Sequence, residues 1–293
     1  MSRRNWFLFF FVGFIWGIPY LLIKVAVEDL LPPVIVFARV AIGAAILIRI
    51  AMKRGSLLPA IKAWRYVIPY AIGEMIGPWF LITAAEQKMT SGLAGLLVAT
   101  VPIWTTILAS IHGDKTVWHH KRLLRILIGF IGVLTVLGAW KGLGDNPLWA
   151  ILILLAAVTC YGFSFPYSRR FILPQKLQPE SIAAGQVTMG ALTLLPFFIY
   201  NGVEKYEYQP APVLAMVALG VFGSGFAYIW NFKVMAIAGS AIASSVTYLT
   251  PVVAVIVGII FLQESIYWYE PVGAIIVLLG AAIGQNRIKL SAK

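Results

Sequence analysis

The sequence predicts an all-α polytopic membrane protein whose ten transmembrane helices form two inverted five-helix repeats. Composition is the first reason, since the 293 residues are 60% hydrophobic and 12% charged, with a mean hydropathy of +0.88, unlike a soluble domain. The apolar runs are each about 20 residues long, which is the length of helix that crosses about 30 Å of hydrocarbon. Short sequences of the first half also recur in the second half in the same order.

The ten spans are the apolar runs between short polar breaks. We place them at 6–27, 32–52, 66–85, 91–111, 122–140, 148–168, 179–201, 212–233, 239–262 and 266–285. A transmembrane β-strand would be about half as long and would alternate apolar and polar residues, so helices are favoured. The lipid bilayer is therefore the first expected partner of the chain.

The basic residues predict the orientation of these spans. The formal net charge of +12 could indicate nucleic-acid binding in a soluble protein. Here most of the 23 Lys and Arg residues fall on the N-terminal side of the membrane, whereas Glu28, Asp29, Glu204 and Glu270 fall on the other. The positive-inside rule then places both termini in the cytoplasm, and no nucleic-acid partner is expected.

Motifs for other chemistries are missing from the sequence. It has no G-x-x-x-x-G-K-[ST] loop for nucleotide phosphates, no H-E-x-x-H and no G-x-S-x-G. His112, His119 and His120 surround one loop without a set of carboxylates, and Cys160 has no partner for a disulfide. We expect no enzyme activity, no cofactor and no metal ion. An integral-membrane enzyme acting on a lipid-linked substrate is the alternative from another class.

The recurring sequences divide the chain into two repeats, which we predict at 1–143 and 144–293. The aligned stretches are WGIPY (16–20) with YGFSF (161–165), PPVIVFARVAIGA (32–44) with PESIAAGQVTMGA (179–191), and SGLAGLLVATVP (91–102) with SAIASSVTYLTP (240–251). Because each repeat has an odd number of spans, five, the second repeat enters the membrane from the side opposite to the first. Such halves can exchange inward-open and outward-open states around a site near the midplane.

These stretches resemble the EamA repeats of the drug/metabolite transporter (DMT) superfamily over nearly the whole chain. The most specific stretch is VMAIAGSAIASSVTYLTPVVAVIVGIIFLQESI (234–266). The whole looks like the amino-acid exporters of the YddG type. This resemblance implies export of amino acids, with aromatic ones as candidates, and of related metabolites across the bacterial inner membrane. It also implies a cavity lined by helices 1, 3, 4, 6, 8 and 9. Sugars, nucleotide precursors and organic cations are the alternative cargoes.

The two halves differ at charged positions. Glu264 follows the fourth helix of the second half, where the first half has Asp114 and Lys115. Arg39 stands at the usual basic position of helix two in this family, and Gln186 is its counterpart in the second half. These differences leave the cargo open. Because one chain contains both halves, we expect a monomer to be functional.

A carboxylic acid in the third span predicts a substrate site. Glu74 lies in YAIGEMIGPWF, and a charge at mid-membrane costs roughly 2.5–3.5 kcal/mol on insertion scales, so it faces the bundle interior or a wet cavity. Gly77 allows close helix approach, Pro78 removes a backbone donor, and Trp79 adds an aromatic ring. This combination suits a mobile site for an ammonium group. Pairing with a buried cation and proton carriage by Glu74 are the open alternatives.

Polar and aromatic residues of other spans complete the predicted site. Further substrate-binding candidates are Trp16, Tyr20, Thr100, Trp104, Tyr161, Ser164, Tyr228, Asn231, Ser244 and Tyr248, and further hinge candidates are Pro19 and Pro166. Aromatic rings at these positions could stack on a substrate, although the same spacing is typical of helix packing. Lys24 and Arg169, near span ends, are expected to extend to the interface, and neutralisation of a substrate carboxylate on its way through is the alternative.

Overall fold

A computed structural model describes residues 3–109, 120–141, 146–201, 209–238, 246 and 249–284. Throughout these ranges the regular structure is helical and contains no strand, which confirms the all-α class. Among the described residues, seven helices are long and apolar enough to cross a membrane, and Ile126–Val136, Thr250–Leu262 and Tyr269–Leu279 are shorter apolar helices. The arrangement of ten spans as an inverted repeat stays a prediction.

The helices of the first half follow the predicted spans closely. They are α1 (Arg3–Ala26), α2 (Pro32–Lys53), α3 (Trp64–Ala71 and Gly77–Glu86, joined by a π-helical segment), α4 (Ser91–Val98 and Val101–Ala109) and α5 (His120–Val136). A short helix, Leu57–Lys62, lies between α2 and α3.

The second half has a corresponding series. Its helices are α6 (Leu148–Tyr167), α7 (Pro179–Asn201), α8 (Pro210–Ala218 and Ala227–Ala238, joined by a π-helical segment), α9 (Thr250–Leu262) and α10 (Tyr269–Gly284). Residues 239–245, 247 and 248 of the predicted ninth span lie outside the described residues.

Within the described ranges, π-helical segments interrupt α3 at Ile72–Ile76 and α8 at Leu219–Phe226, and follow α6 at Ser168–Ile172. The first has a local cause, because the nitrogen of Pro78 carries no hydrogen for the carbonyl of Glu74, four residues earlier. π-helical turns widen a helix by one residue and occur often at functional sites. Two of these segments contribute side chains to the candidate site below.

The fourth span is divided, although the sequence predicted one unbroken helix over 91–111. A turn at residues 99–100 separates its two parts. Pro102 supplies no amide hydrogen to the carbonyl of Val98, and the Thr100 hydroxyl donates to the Leu97 carbonyl over 2.6 Å. Irregular backbone at membrane depth is tolerated where protein or a cavity surrounds it.

Within the described residues, the buried hydrophobic side chains form two main clusters. One contains Leu30, Met89 and Leu97, whereas the other contains Leu47 and Trp79. Tyr161 packs against both clusters. The candidate site lies at this junction.

Helices α5 and α10 pack so closely that their backbones touch. A Cβ atom on Gly132 would lie 3.0 Å from the Gly273 carbonyl oxygen, and one on Gly273 would lie 2.7 Å from the Gly132 carbonyl oxygen. Small residues allow such contacts, which stabilise helix pairs in lipid.

We therefore expect Gly273→Ala to destabilise the protein by about 1–3 kcal/mol, as overpacking does in other cores. The midpoint of thermal unfolding in detergent would report the loss. Gly92→Ala is the matched control. The nearest neighbour of a Cβ at this position is the Oε2 atom of Glu264, at an ordinary van der Waals distance of 3.4 Å. Equal unfolding midpoints for the two variants would contradict the close α5–α10 contact.

Glu264 caps the beginning of α4 from the other half of the chain. Its carboxylate accepts from the Ser91 amide (2.6 Å), the Gly92 amide (3.0 Å) and the Ser91 hydroxyl (3.0 Å). The first amides of a helix have no partner within the helix, and a negative charge is favoured there. The glutamate of the FLQES stretch thus joins the α9–α10 connection to α4.

Glu264→Gln should lower stability by about 1–2 kcal/mol, since it removes the negative charge and one acceptor atom from the cap. Thermal unfolding of the purified variant measures this effect. Ser265→Ala serves as the control, because Ser265 is an exposed neighbour. If both variants unfold at the wild-type temperature, the cap does not contribute to stability.

Candidate functional site

A buried arginine lies at the centre of the candidate site. Arg39 of α2 is 6% exposed. Its Nε donates to the Ser224 hydroxyl at 2.9 Å, and its Cζ lies 3.6 Å from the centroid of the Trp79 ring. Gly43 lets α2 approach the π-helical segment of α8, because a Cβ there would be 2.9 Å from the Ser224 Cβ. A guanidinium held by stacking and by one hydrogen bond to a hydroxyl oxygen keeps its terminal nitrogens directed for carboxylate recognition.

The predicted Glu74 lies on the π-helical segment of α3. Its Oε2 accepts a hydrogen bond of 2.7 Å from the Nε2 of Gln186, on α7. Gln186 is 3% exposed, whereas Glu74 is half-buried. The contact leaves the other carboxylate oxygen available, since Nε2 bonds to Oε2 alone.

These two contacts correspond to each other. Arg39 and Gln186 occupy equivalent positions in the aligned stretches 32–44 and 179–191. Arg39 on α2 bonds to the π-helical segment of α8, and Gln186 on α7 bonds to that of α3. Each hydrogen bond therefore crosses from one half of the chain to the other.

Aromatic side chains surround the two charged groups. The Trp79 indole donates to the Tyr161 hydroxyl at 3.0 Å. Trp16 and Tyr228 meet edge to face, with ring centroids 6.1 Å apart. Arg39 interacts electrostatically with the hydroxyl groups of Tyr161 and Tyr228. The predicted residues Glu74, Trp79, Trp16, Tyr161 and Tyr228 are thus brought to one region.

Arg39 and Glu74 interact at a distance and form no salt bridge. Glu74 experiences the charge of Arg39, but within the described ranges the only ion pair joins Arg54 and Glu180. A separated cation and anion in a low-dielectric site can each bind the opposite charge of one ligand. Tyr20, buried on α1, also interacts electrostatically with Arg39 and Tyr161.

The structure also describes four other predicted residues. Thr100 bonds within its own helix, and Ser164 donates to the Cys160 carbonyl at 2.9 Å. Trp104 packs against Gly162 of α6. The side-chain oxygen of Asn231 is buried and has no hydrogen bond in the described part of the chain. A role of these four residues in substrate binding stays a prediction.

The remaining predicted site residues, Ser244 and Tyr248, lie outside the described residues. So do His112, His119 and the side chain of His120. The described side chains include no group of three or more His, Cys, Asp or Glu residues that could hold a metal ion. That statement covers only those residues, and the expectation of no metal stays a prediction.

The predicted hinges lie beside the π-helical segments. Gly77 and Pro78 directly follow Ile72–Ile76, and Pro166 comes just before Ser168–Ile172. Pro19 faces the segment of α8, because a Cβ on Gly223 would lie 3.4 Å from its Cγ. Movement at these points stays a prediction.

Sequence reasoning did not assign Arg39, Gln186 and Ser224 to the site. The repeat alignment did single out the Arg39–Gln186 pair, and this signal could have placed both residues opposite the third helix of the other half. Ser224 had no comparable signal. Helices α2 and α7 thereby contribute residues to the candidate site, in addition to the helices that the family resemblance implied.

The extension of Lys24 to the membrane interface stays a prediction. The structure shows that its Nζ donates to the carbonyl oxygens of Glu86 (2.7 Å) and Met89 (2.8 Å) at the end of α3. Two carbonyl groups of the protein thus hold the ammonium group. The contact joins α1 to α3.

Comparisons with known proteins show that this chain is similar to transporters. The uncharacterized inner membrane transporter YedA of Escherichia coli (strain K12) is 31% identical over 256 residues, which cover 83% of this chain and 78% of that protein. The uncharacterized transporter YoaV of Bacillus subtilis (strain 168) is 25% identical over 92% of each chain. A solved crystal structure with 20% identity matches over 98% of each chain with a TM-score of 0.62, which shows a shared fold.

A family model provides the assignment. The model described as the EamA-like transporter family matches twice, at residues 4–138 and 148–283. Together the two matches account for most of the chain. The chain therefore belongs to the EamA-like transporter family and is a membrane transporter.

Proposed function

We propose that this transporter exports amino acids, aromatic ones among them, across the bacterial inner membrane by alternating access. The main support for the proposal is the pair of Arg39 and Glu74, two opposite charges that form no salt bridge with each other within the described residues and lie among aromatic side chains. A zwitterion with an apolar side chain has matching chemistry. The proposed orientation has both termini in the cytoplasm, and the proposed functional unit is a monomer.

Arg39 recognises the carboxylate of the substrate in this proposal. Its Nε is engaged by Ser224, and its other nitrogens make no hydrogen bond within the described part of the chain. Arginine binds carboxylates with two parallel hydrogen bonds. The Trp79 ring under the guanidinium fixes the plane in which these bonds form.

Glu74 recognises the ammonium group. Gln186 holds one oxygen of this carboxylate, so its direction is fixed before the substrate arrives. Such preorganisation reduces the entropy lost on binding. Phosphorylated cargo is disfavoured, since several Lys or Arg residues would be needed to bind it.

Alternating access is supported by the correspondence between the halves. Gly17 on α1 packs against Val253 on α9, and Gly162 on α6 packs against Trp104 on α4. The first residues of these two pairs lie in the aligned stretches 16–20 and 161–165. Halves with matching contacts can exchange conformations around a shared site, as in other inverted-repeat transporters.

Uptake by proteoliposomes tests the cargo. Vesicles with purified protein are loaded with unlabelled phenylalanine, and entry of labelled phenylalanine, threonine and methionine by exchange is measured against protein-free vesicles. Saturable exchange of at least one amino acid is expected. Exchange of a sugar, nucleotide precursor or organic cation with none of any amino acid would overturn the amino-acid assignment. Conversion of a lipid-linked substrate without transport would indicate an enzyme.

A further inference from the structure

A second buried carboxyl group lies away from the proposed substrate contacts. Glu86 is the last residue of α3 and is 0% exposed. Both of its carboxylate oxygens are buried without a hydrogen-bond partner among the described residues. An ionised carboxylate in such surroundings is strongly destabilised, because it has lost water and gained no donor.

Four ionisable groups act electrostatically on Glu86 or share its surroundings. They are Lys24 and Tyr20 from α1, Arg39 from α2 and Glu264 from the α9–α10 connection. Lys24 donates a hydrogen bond to the backbone carbonyl of Glu86 rather than to its carboxyl group.

The two glutamates of this cluster differ in the donors that surround them. Glu264 accepts three hydrogen bonds, two of them from backbone amides, which is the pattern of an ionised carboxylate. Neither oxygen of Glu86 has such a donor among the described residues. A proton on Glu86 therefore removes the cost of a buried charge without hydrogen bonds.

We infer that Glu86 is a proton-binding site and that Lys24 responds to its proton. In the described state Glu86 holds the proton and Lys24 bonds to the Glu86 and Met89 carbonyls. When the proton leaves, the carboxylate attracts the ammonium group of Lys24 and the two carbonyl bonds break. The reaction is the gain or loss of one proton at the carboxyl group.

This rearrangement of Lys24 connects proton binding to the substrate site. Lys24 lies one helical turn from Tyr20, and Tyr20 interacts electrostatically with Arg39. Loss of the two carbonyl bonds frees the end of α1 from α3, and α1 also carries Trp16. Proton binding at Glu86 thus biases the position of one wall of the site. The inference rests on the proposed transport activity and does not depend on the cargo.

The test separates substrate exchange from proton coupling. Proteoliposomes with wild-type protein and with Glu86→Gln are compared in exchange at equal pH and in net uptake under an imposed pH gradient. Glutamine imitates the protonated carboxyl group, so the variant is expected to retain exchange. Wild-type net uptake should follow the gradient, and net uptake by the variant should be the same with and without it. Glu28→Gln, at an exposed carboxyl group, is the control.

Each outcome has a separate meaning. Absence of exchange by the wild type with every cargo overturns the proposed function. Exchange by both proteins with the same response to the pH gradient overturns the proton site. Net uptake that follows a sodium gradient at equal pH also overturns it, since the carboxyl group then serves a metal cation.

Infrared difference spectroscopy provides a readout without transport. The carbonyl stretch of a neutral carboxylic acid should disappear from the wild-type spectrum as pH rises, and Glu86→Gln should lack that band. Lys24→Met should retain the band to higher pH, because the carboxylate has lost its counter-charge. A wild-type spectrum without such a band, or the same band in Glu86→Gln, contradicts protonation of Glu86 even if a transport variant proves too unstable to reconstitute.

Discussion

Glu74→Gln is expected to reduce saturable amino-acid exchange by at least about tenfold. The variant retains one acceptor oxygen and a similar volume but removes the charge that faces the substrate ammonium group. A hydrogen bond to a charged partner contributes about 1.5–3 kcal/mol, which corresponds to about 10- to 100-fold in affinity. Exchange of labelled phenylalanine over a range of concentrations would separate a change in affinity from a change in maximal rate.

The control for this experiment is Glu28→Gln, which removes an exposed carboxylate outside the helices. It should leave exchange unchanged. Equal exchange by wild type and Glu74→Gln would make Glu74 a structural partner of Gln186 and would remove it from the substrate site. The assignment of the chain as a transporter would be unaffected.

Arg39→Lys is expected to cause a comparable loss, at least about tenfold, although the charge is conserved. Lysine has no planar guanidinium to stack on Trp79 and cannot donate in parallel to both oxygens of a carboxylate. The Ser224 hydroxyl also loses its present donor. The loss should appear mainly as weaker binding of substrates that have a free carboxylate.

Exchange of phenylalanine and of its methyl ester distinguishes recognition from stability. If Arg39 binds the carboxylate, the wild type prefers the free acid, and Arg39→Lys narrows that preference. Arg49→Lys on the same helix is the matched control, because Arg49 is exposed. If Arg39→Lys reduces exchange of both compounds by the same factor, so that the wild-type preference is retained, the role of Arg39 is purely structural.

The helical class and most span positions could be predicted because hydropathy and length are local properties of the chain. α2, for example, was expected at 32–52 and is found at Pro32–Lys53. The division of α4 near Thr100 was not predicted, since Pro102 alone does not show whether a membrane helix bends or breaks.

Only part of the candidate site could be predicted, because some of its residues have no local signal in the sequence. Glu74 stood out because a charge in an apolar run is rare, and the structure places it in a polar contact. Ser224 could not be found in this way, because serine is common in membrane helices and only the partner on α2 shows its role. Glu86 was overlooked because it falls at the end of its span, where acidic residues are usual.

The hydrogen bonds between Arg39 and Ser224 and between Gln186 and Glu74 have a consequence for assembly. Each joins one residue from either half, so neither half alone can form these hydrogen bonds. A chain cut between residues 141 and 146 should give two fragments that are unstable separately and that complement each other when produced together. The separate fragments would then be targets for proteolytic quality control, whereas the reassembled pair would persist in the membrane.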